Sequence, residues 1–281
     1  METYPACVPC ITKLMELTLK ETDLVGSARQ AFLDDLAADL SNADRTVPPA
    51  RTAGAAYQKL LRETGQEDIF RAHKRASIDS ALELYPRLKS IARDADDPLE
   101  AAIRISALGN ILDAANTNSY DLDQEINCLL EERMRGESLE LFRSRLASSD
   151  SLLILADNAA ETVFDKVLIE TVNVPVLYAV KSAPAYDDAL VEDARRAGVD
   201  EVAQIIETGT HFPGTYLPSC SETFQELFKS APLVLAKGQA NYETLDNASR
   251  ELFFLLKVKC DVVSRAIGYP LGSLTFKSYA G

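Results

Sequence analysis

Asp157 and Asn158 stand side by side immediately after the apolar run Leu152-Leu153-Ile154-Leu155-Ala156. A carboxylate next to an amide oxygen is a pair of hard donors suited to a divalent cation such as Mg²⁺ or Mn²⁺. Two more segments repeat this placement of polar groups after an apolar run. Val174 to Val180 is followed by Lys181 and then Asp187-Asp188, and Leu233 to Ala236 is followed by Lys237-Gly238-Gln239-Ala240-Asn241. Oxygen ligands for a metal, flanked by two lysines, match what a phosphoryl group needs, namely neutralised oxygens and a Lewis acid. The alternatives are plain. Asp157 and Asp188 could cap helices, and Lys181 and Lys237 could be solvated surface side chains.

These residues share a rim only if the apolar runs are parallel strands. The pattern supports that from Ser151 onward, where strand-like runs alternate with helical segments: strands at 152–156, 174–180, 202–206, 233–236, 252–258 and 273–276, with helices from Asp188 to Arg196 and after Ser221. Regular alternation predicts a Rossmann-like α/β domain with a mostly parallel sheet, and in such sheets ligands bind beyond the carboxyl ends of the strands. The dinucleotide glycine fingerprint is missing after the first strand, which argues against NAD or FAD. From Pro9 to about Ser149 the apolar spacing is helical instead, punctuated by Pro48-Pro49, Pro98 and Gly136, with Pro86 expected to kink or break a long helix that starts near Asp68. The expected architecture is an all-helical domain, 1–149, packed on an α/β domain, 150–281.

Lys and Arg number 29 against 43 Asp and Glu, a net charge of −14 over 281 residues. Such a chain repels nucleic acid and anionic membrane, so no nucleic-acid or membrane partner is expected. No apolar run reaches membrane-spanning length and the first residues lack a signal-peptide pattern, which reads as cytoplasmic. Cys7-Val8-Pro9-Cys10 is the one close pair among five cysteines. With two histidines in the chain, it reads as structural or incidental, with metal or redox use as the alternative. Gly109-Asn110 interrupts an apolar helix at Leu99 to Leu112, where both residues are unfavourable. Close packing would explain it, or Asn110 and Asp113, three apart on one face, could look across the interdomain cleft.

Several segments together resemble the damage-control metal-dependent phosphatase family, in its CxxC-bearing prokaryotic branch. They are Asp157-Asn158-Ala159-Ala160-Glu161 followed by Phe164-Asp165-Lys166, Asp187-Asp188-Ala189, Thr208-Gly209, Pro213-Gly214-Thr215, Lys237 to Leu245, Cys7 to Cys10 and Gly109 to Asp113. The resemblance implies Asp157, Asn158 and Asp188 as metal ligands, with Mn or Mg favoured and Co or Ni able to occupy the site. It implies Lys237 and Asn241 at the phosphate and Asn110 approaching from the helical domain; Glu161, Lys181, Gly238 and Asp113 are added as candidate substrate-binding residues by their place beside these. The implied activity is hydrolysis of small phosphorylated metabolites, such as sugar phosphates or phosphopantetheine derivatives, with Asp157 and Lys237 carrying the chemistry. Ala160 stands where that family commonly has Gly, and Lys181-Ser182-Ala183 where it often has Arg-Gly-Gly. An S-adenosylmethionine-dependent methyltransferase and a non-catalytic phosphometabolite sensor are the rival readings.

Overall fold

The computed structural model describes residues 1–112, 132–136 and 138–280. Six strands form one sheet in the order β3-β2-β1-β4-β5-β6: β1 (Leu152–Leu155), β2 (Val176–Val180), β3 (Gln204–Glu207), β4 (Val234–Lys237), β5 (Glu251–Lys257) and β6 (Leu274–Ala280). β1 to β5 are parallel and β6 runs antiparallel against β5. β1 sits between β2 and β4, with Leu155 opposite Ala179 on one side and Ala236 on the other. This is the strand order of a doubly wound sheet, whose crossovers diverge between β1 and β4 and leave a crevice there.

The interior strands are apolar on both faces because both are covered. Leu152 and Ile154 pack on one side with α4 (Arg71–Asp94), α5 (Pro98–Leu112), α6 (Leu139–Ser148), α7 (Glu161–Thr171) and α8 (Val191–Arg196). Leu153 and Leu155 pack on the other with α9 (Glu222–Ser230), α10 (Gly238–Leu245) and α11 (Asp261–Ile267). α1 (Cys7–Thr18), α2 (Gly26–Ser41) and α3 (Pro49–Thr64) make a third cluster that includes Tyr186 from the loop after β2. Position 149/150 is therefore where helices give way to strands, while core packing crosses it.

Two local expectations change. α4 runs through Pro86 without a break. Ala81 and Leu88, one on each side of the proline, are buried in the shared core, and that packing offsets the lost backbone hydrogen bond. The helix expected from Asp188 begins at Val191, because Asp188 bridges Asn158 and Leu190 bridges Lys181, which keeps 188–190 extended. A helix expected from Asp121 or Asp123 to Gly136 falls mostly outside the described residues, and its described end, 132–136, is not helical but holds a bridge from Arg135 to Thr275.

Candidate active site at the switch point

Asp157 and Asn158 follow β1 and Lys237 ends β4, so the backbone at the two strand ends flanks the crevice, while only Asp157 and Asn158 line the cavity there. Neither Asp157 nor Asp188 caps a helix, since the N-caps of α7 and α8 are Ala160 and Leu190. The Asp157 and Asp188 loops are stitched together by backbone bonds. Ala189 N donates to Asp157 O at 2.9 Å and Ala159 N to Asp187 O at 2.8 Å. Asp157, Asn158 and Asp188 all line one cavity of about 690 Å³ between α1, α3, α4 and the strand ends.

The turn carrying Asp188 is held by Tyr186, the one non-glycine with positive φ (56°) among the described residues. Left-handed backbone at tyrosine persists only where the surroundings enforce it. Here its ring stacks on Tyr57 at 4.5 Å, and its hydroxyl donates to Ala53 O at 2.9 Å and contacts Met15 Sδ at 3.0 Å. On the opposite side Gly238, φ 79°, lies directly under the Asp157 carboxylate. A Cβ at position 238 would overlap both carboxylate oxygens.

Lys181 and Lys237 are each 1% exposed, so neither is a solvated surface residue. Lys181 Nζ lies 3.2 Å from Asp188 Oδ2 and donates to Ala156 O at 3.3 Å. Lys237 Nζ donates to Asp165 Oδ1 at 2.6 Å, Ser106 O at 2.9 Å and Glu161 Oε2 at 3.0 Å, which uses its three protons. Asp165 also accepts from the hydroxyls of Tyr178, at 2.7 Å, and of Ser106. Asn241 is equally committed. Its amide donates to Lys237 O at 2.7 Å and Ala156 O at 3.1 Å while Thr215 Oγ1 donates to its Oδ1 at 2.7 Å. It thereby ties the end of β1 to the start of α10. Asn110 lies within α5, and Asp113 lies outside the described residues.

The electrostatics mark this as a strained cluster of acids. Burial pushes Asp188 up to about 7; Lys181 opposes the rise and Asp157 adds to it. Burial pushes Glu161 up to about 8 against the pull of Lys237, with Asp157 and Asp165 adding to the rise. Burial alone would lower Lys237, but Asp165 and Glu161 overturn this and hold it above its usual range. Asp188 Oδ2 is buried, with the Lys181 ammonium at 3.2 Å as its counter-charge. Crowded, buried carboxylates beside an amide oxygen fit a divalent cation placed among Asp157, Asn158 and Asp188. Among the described residues no three His, Cys, Asp or Glu side chains form a ready-made metal cage. The donor set in question has two carboxylates and an amide.

Asp165 and Glu243 lie in segments that carry the family resemblance but were given no role from sequence, and neither was Tyr186. Glu161 and Asp165, four apart in an apolar helix, share a face, and that pair was a readable signal. Glu243 lines the cavity, accepts from Gln239 at 2.9 Å, and is pushed up to about 7 by burial, with Asp157 among the charges that raise it.

A doubly wound sheet with acids and an amide at its switch point defines an α/β enzyme-type site, and comparison with known families makes the class specific. Residues 3–275 match the damage-control phosphatase ARMT1-like domain, and the chain belongs to that family. It is 32% identical to a damage-control phosphatase of Pyrococcus horikoshii, over 98% of this chain and 97% of that protein. It is 28% identical to a damage-control phosphatase of Archaeoglobus fulgidus, over 99% of each chain. The crystal structure of a DUF89 family protein from Pyrococcus horikoshii superposes with a TM-score of 0.89 at 30% identity, covering 99% of both chains. The architecture expected from the sequence, helices followed by a mostly parallel α/β sheet, is the one found.

Proposed function

We propose that this chain hydrolyses phosphomonoesters of small metabolites at the β1/β4 crevice, with a divalent cation held by Asp157, Asn158 and Asp188. The observation that supports it most is that Asp157, Asn158 and Asp188 all line the same cavity. When bound, the cation would polarise a phosphoryl oxygen and offset its charge. Mn²⁺ or Mg²⁺ suit the oxygen donors best, with Co²⁺ or Ni²⁺ as substitutes. Lys181 keeps Asp188 oriented and partly neutralised. Lys237 holds Glu161 and Asp165 in place beneath the crevice and contributes positive charge there, while Asn241 fixes the backbone that carries Asp157. Gly238 leaves room for the Asp157 carboxylate. Damaged or excess phosphometabolites, including sugar phosphates and phosphopantetheine derivatives, are the substrates to try first.

The test is phosphate release from a panel of phosphomonoesters by metal-stripped protein with each cation restored. Metal-dependent release is expected, with Asp157→Ala reducing it at least a hundredfold, about 2.7 kcal/mol in transition-state terms. Release that persists without metal and in Asp157→Ala would overturn the assignment. Tight binding of phosphorylated compounds with no release would favour the sensor reading.

A further inference from the structure

The cavity extends well beyond the acid and amide cluster, and much of its remaining wall is carbon and sulfur. One face of α1 lines it with Cys7, Cys10, Ile11, Leu14 and Leu17, at spacings of three and four. At 1.5 Å per residue, that face is about 15 Å long. Phe70 and Val262 also line the cavity. Burial raises both Cys7 and Cys10, so the CxxC pair contributes neutral thiols to this wall.

The buried polar groups beside this wall are already engaged. The Tyr186 hydroxyl bonds Ala53 O, and the Gln239 amide donates to Glu243 and accepts from Lys259 N at 2.9 Å. Lys20, Glu21 and Lys259 are exposed residues of the lining. A polyhydroxylated body lying along α1 would lose water against the Ile11, Leu14 and Leu17 side chains, which offer it no hydrogen-bond partner. Leu14 and Leu17, meanwhile, are 38% and 47% exposed, apolar area that a carbon chain would cover.

We propose that the site prefers phosphomonoesters of aliphatic alcohols over sugar phosphates, with the phosphate at Asp157, Asn158 and Asp188 and the hydrocarbon along the α1 face. This rests on the phosphatase reading for the phosphate end alone. Hydrolysis transfers the phosphoryl group to water and releases the free alcohol, so no other reactant is needed.

The experiment is calorimetric titration, with and without Mn²⁺, of methylphosphonate and n-octylphosphonate, which bind but cannot be hydrolysed, alongside kcat/KM for n-octyl phosphate and a hexose phosphate. The octyl compound binds at least about tenfold more tightly than the methyl one, since each buried methylene contributes about fourfold. The gain disappears in the double variant Leu14→Asn, Leu17→Asn. It survives in Val25→Asn, where the exposed side chain lies outside the cavity. Equal affinities for the two phosphonates, or a gain that persists in the double variant, overturn the proposal. Chain-dependent binding without phosphate release from octyl phosphate would sink the phosphatase reading and leave the aliphatic pocket standing.

Discussion

Gly238 shows how much of this site depends on an atom that is missing. Its φ of 79° is strained for any L side chain, and the space a Cβ would take is filled by the Asp157 carboxylate. Gly238→Ala is expected to displace that carboxylate and weaken Mn²⁺ binding at least tenfold by calorimetry, with the far-ultraviolet circular dichroism unchanged. Unaltered affinity would mean that Asp157 is not a ligand. The strand-end position of Asp157, Asn158 and Lys237 was readable from sequence, because apolar runs announce where strands stop. The commitments of Lys237 were not. A lysine after a strand reads as a cation aimed at a ligand, and only the packing of α7 and α5 reveals that Glu161, Asp165 and Ser106 O absorb its protons.

Among the elements, α7 carries the electrostatic load. It begins at Glu161, buried and raised to about 8, and one turn later presents Asp165 to the same ammonium. An acid whose pKa is higher in the folded than in the unfolded chain stabilises the fold while protonated, and that contribution fades as pH climbs through the interval between the two values. For Glu161 the interval runs from its ordinary value of 4.5 to about 8, and Asp188, raised to about 7, acts in the same direction. The metal-free protein should therefore lose thermal stability between pH 5 and pH 8, and Glu161→Gln should lose less over that range in calorimetric scans. A variant with the same slope as the wild type would show that Glu161 is ionised throughout. Cysteine chemistry was the weakest element-scale reading from sequence. Spacing within Cys7 to Cys10 says nothing about surroundings, whereas the fold places the pair in the first turn of α1 facing a cavity.

At the scale of the whole molecule, periodicity anticipated the mostly parallel sheet that follows the first helices but could not show which helices belong to which core. Periodicity reports that a helix has an apolar face and is silent about what covers it. The faces of α4, α5 and α6 turn out to cover the sheet, with Ile78, Ile103 and Phe142 sharing a cluster with Ile154, Phe253 and Phe276. A fragment of residues 150–281 expressed alone would leave that side of the sheet in water. It should fail to give a cooperative melting transition or dispersed amide resonances, whereas the full chain should melt in one step. A folded fragment would show that the α/β half has a self-sufficient core.

The last strand is also held from both sides. β5 flanks β6 along one edge, while Arg135 N donates to Leu274 O at 2.8 Å and Phe276 N to Arg135 O at 2.7 Å, and Ser278 N reaches Ser138 Oγ across a sequence separation of 140. Synthesis proceeds from the amino terminus, so the 132–138 stretch and the apolar faces of α4 to α6 leave the ribosome long before their partners exist. Loop closure over such distances is slow, and the exposed faces are sticky in the interval. β6 thus joins two stretches that meet only after it has been made, and a nascent protein that stalls before β6 would be a client for chaperones or proteases while nearly all of its site is already translated.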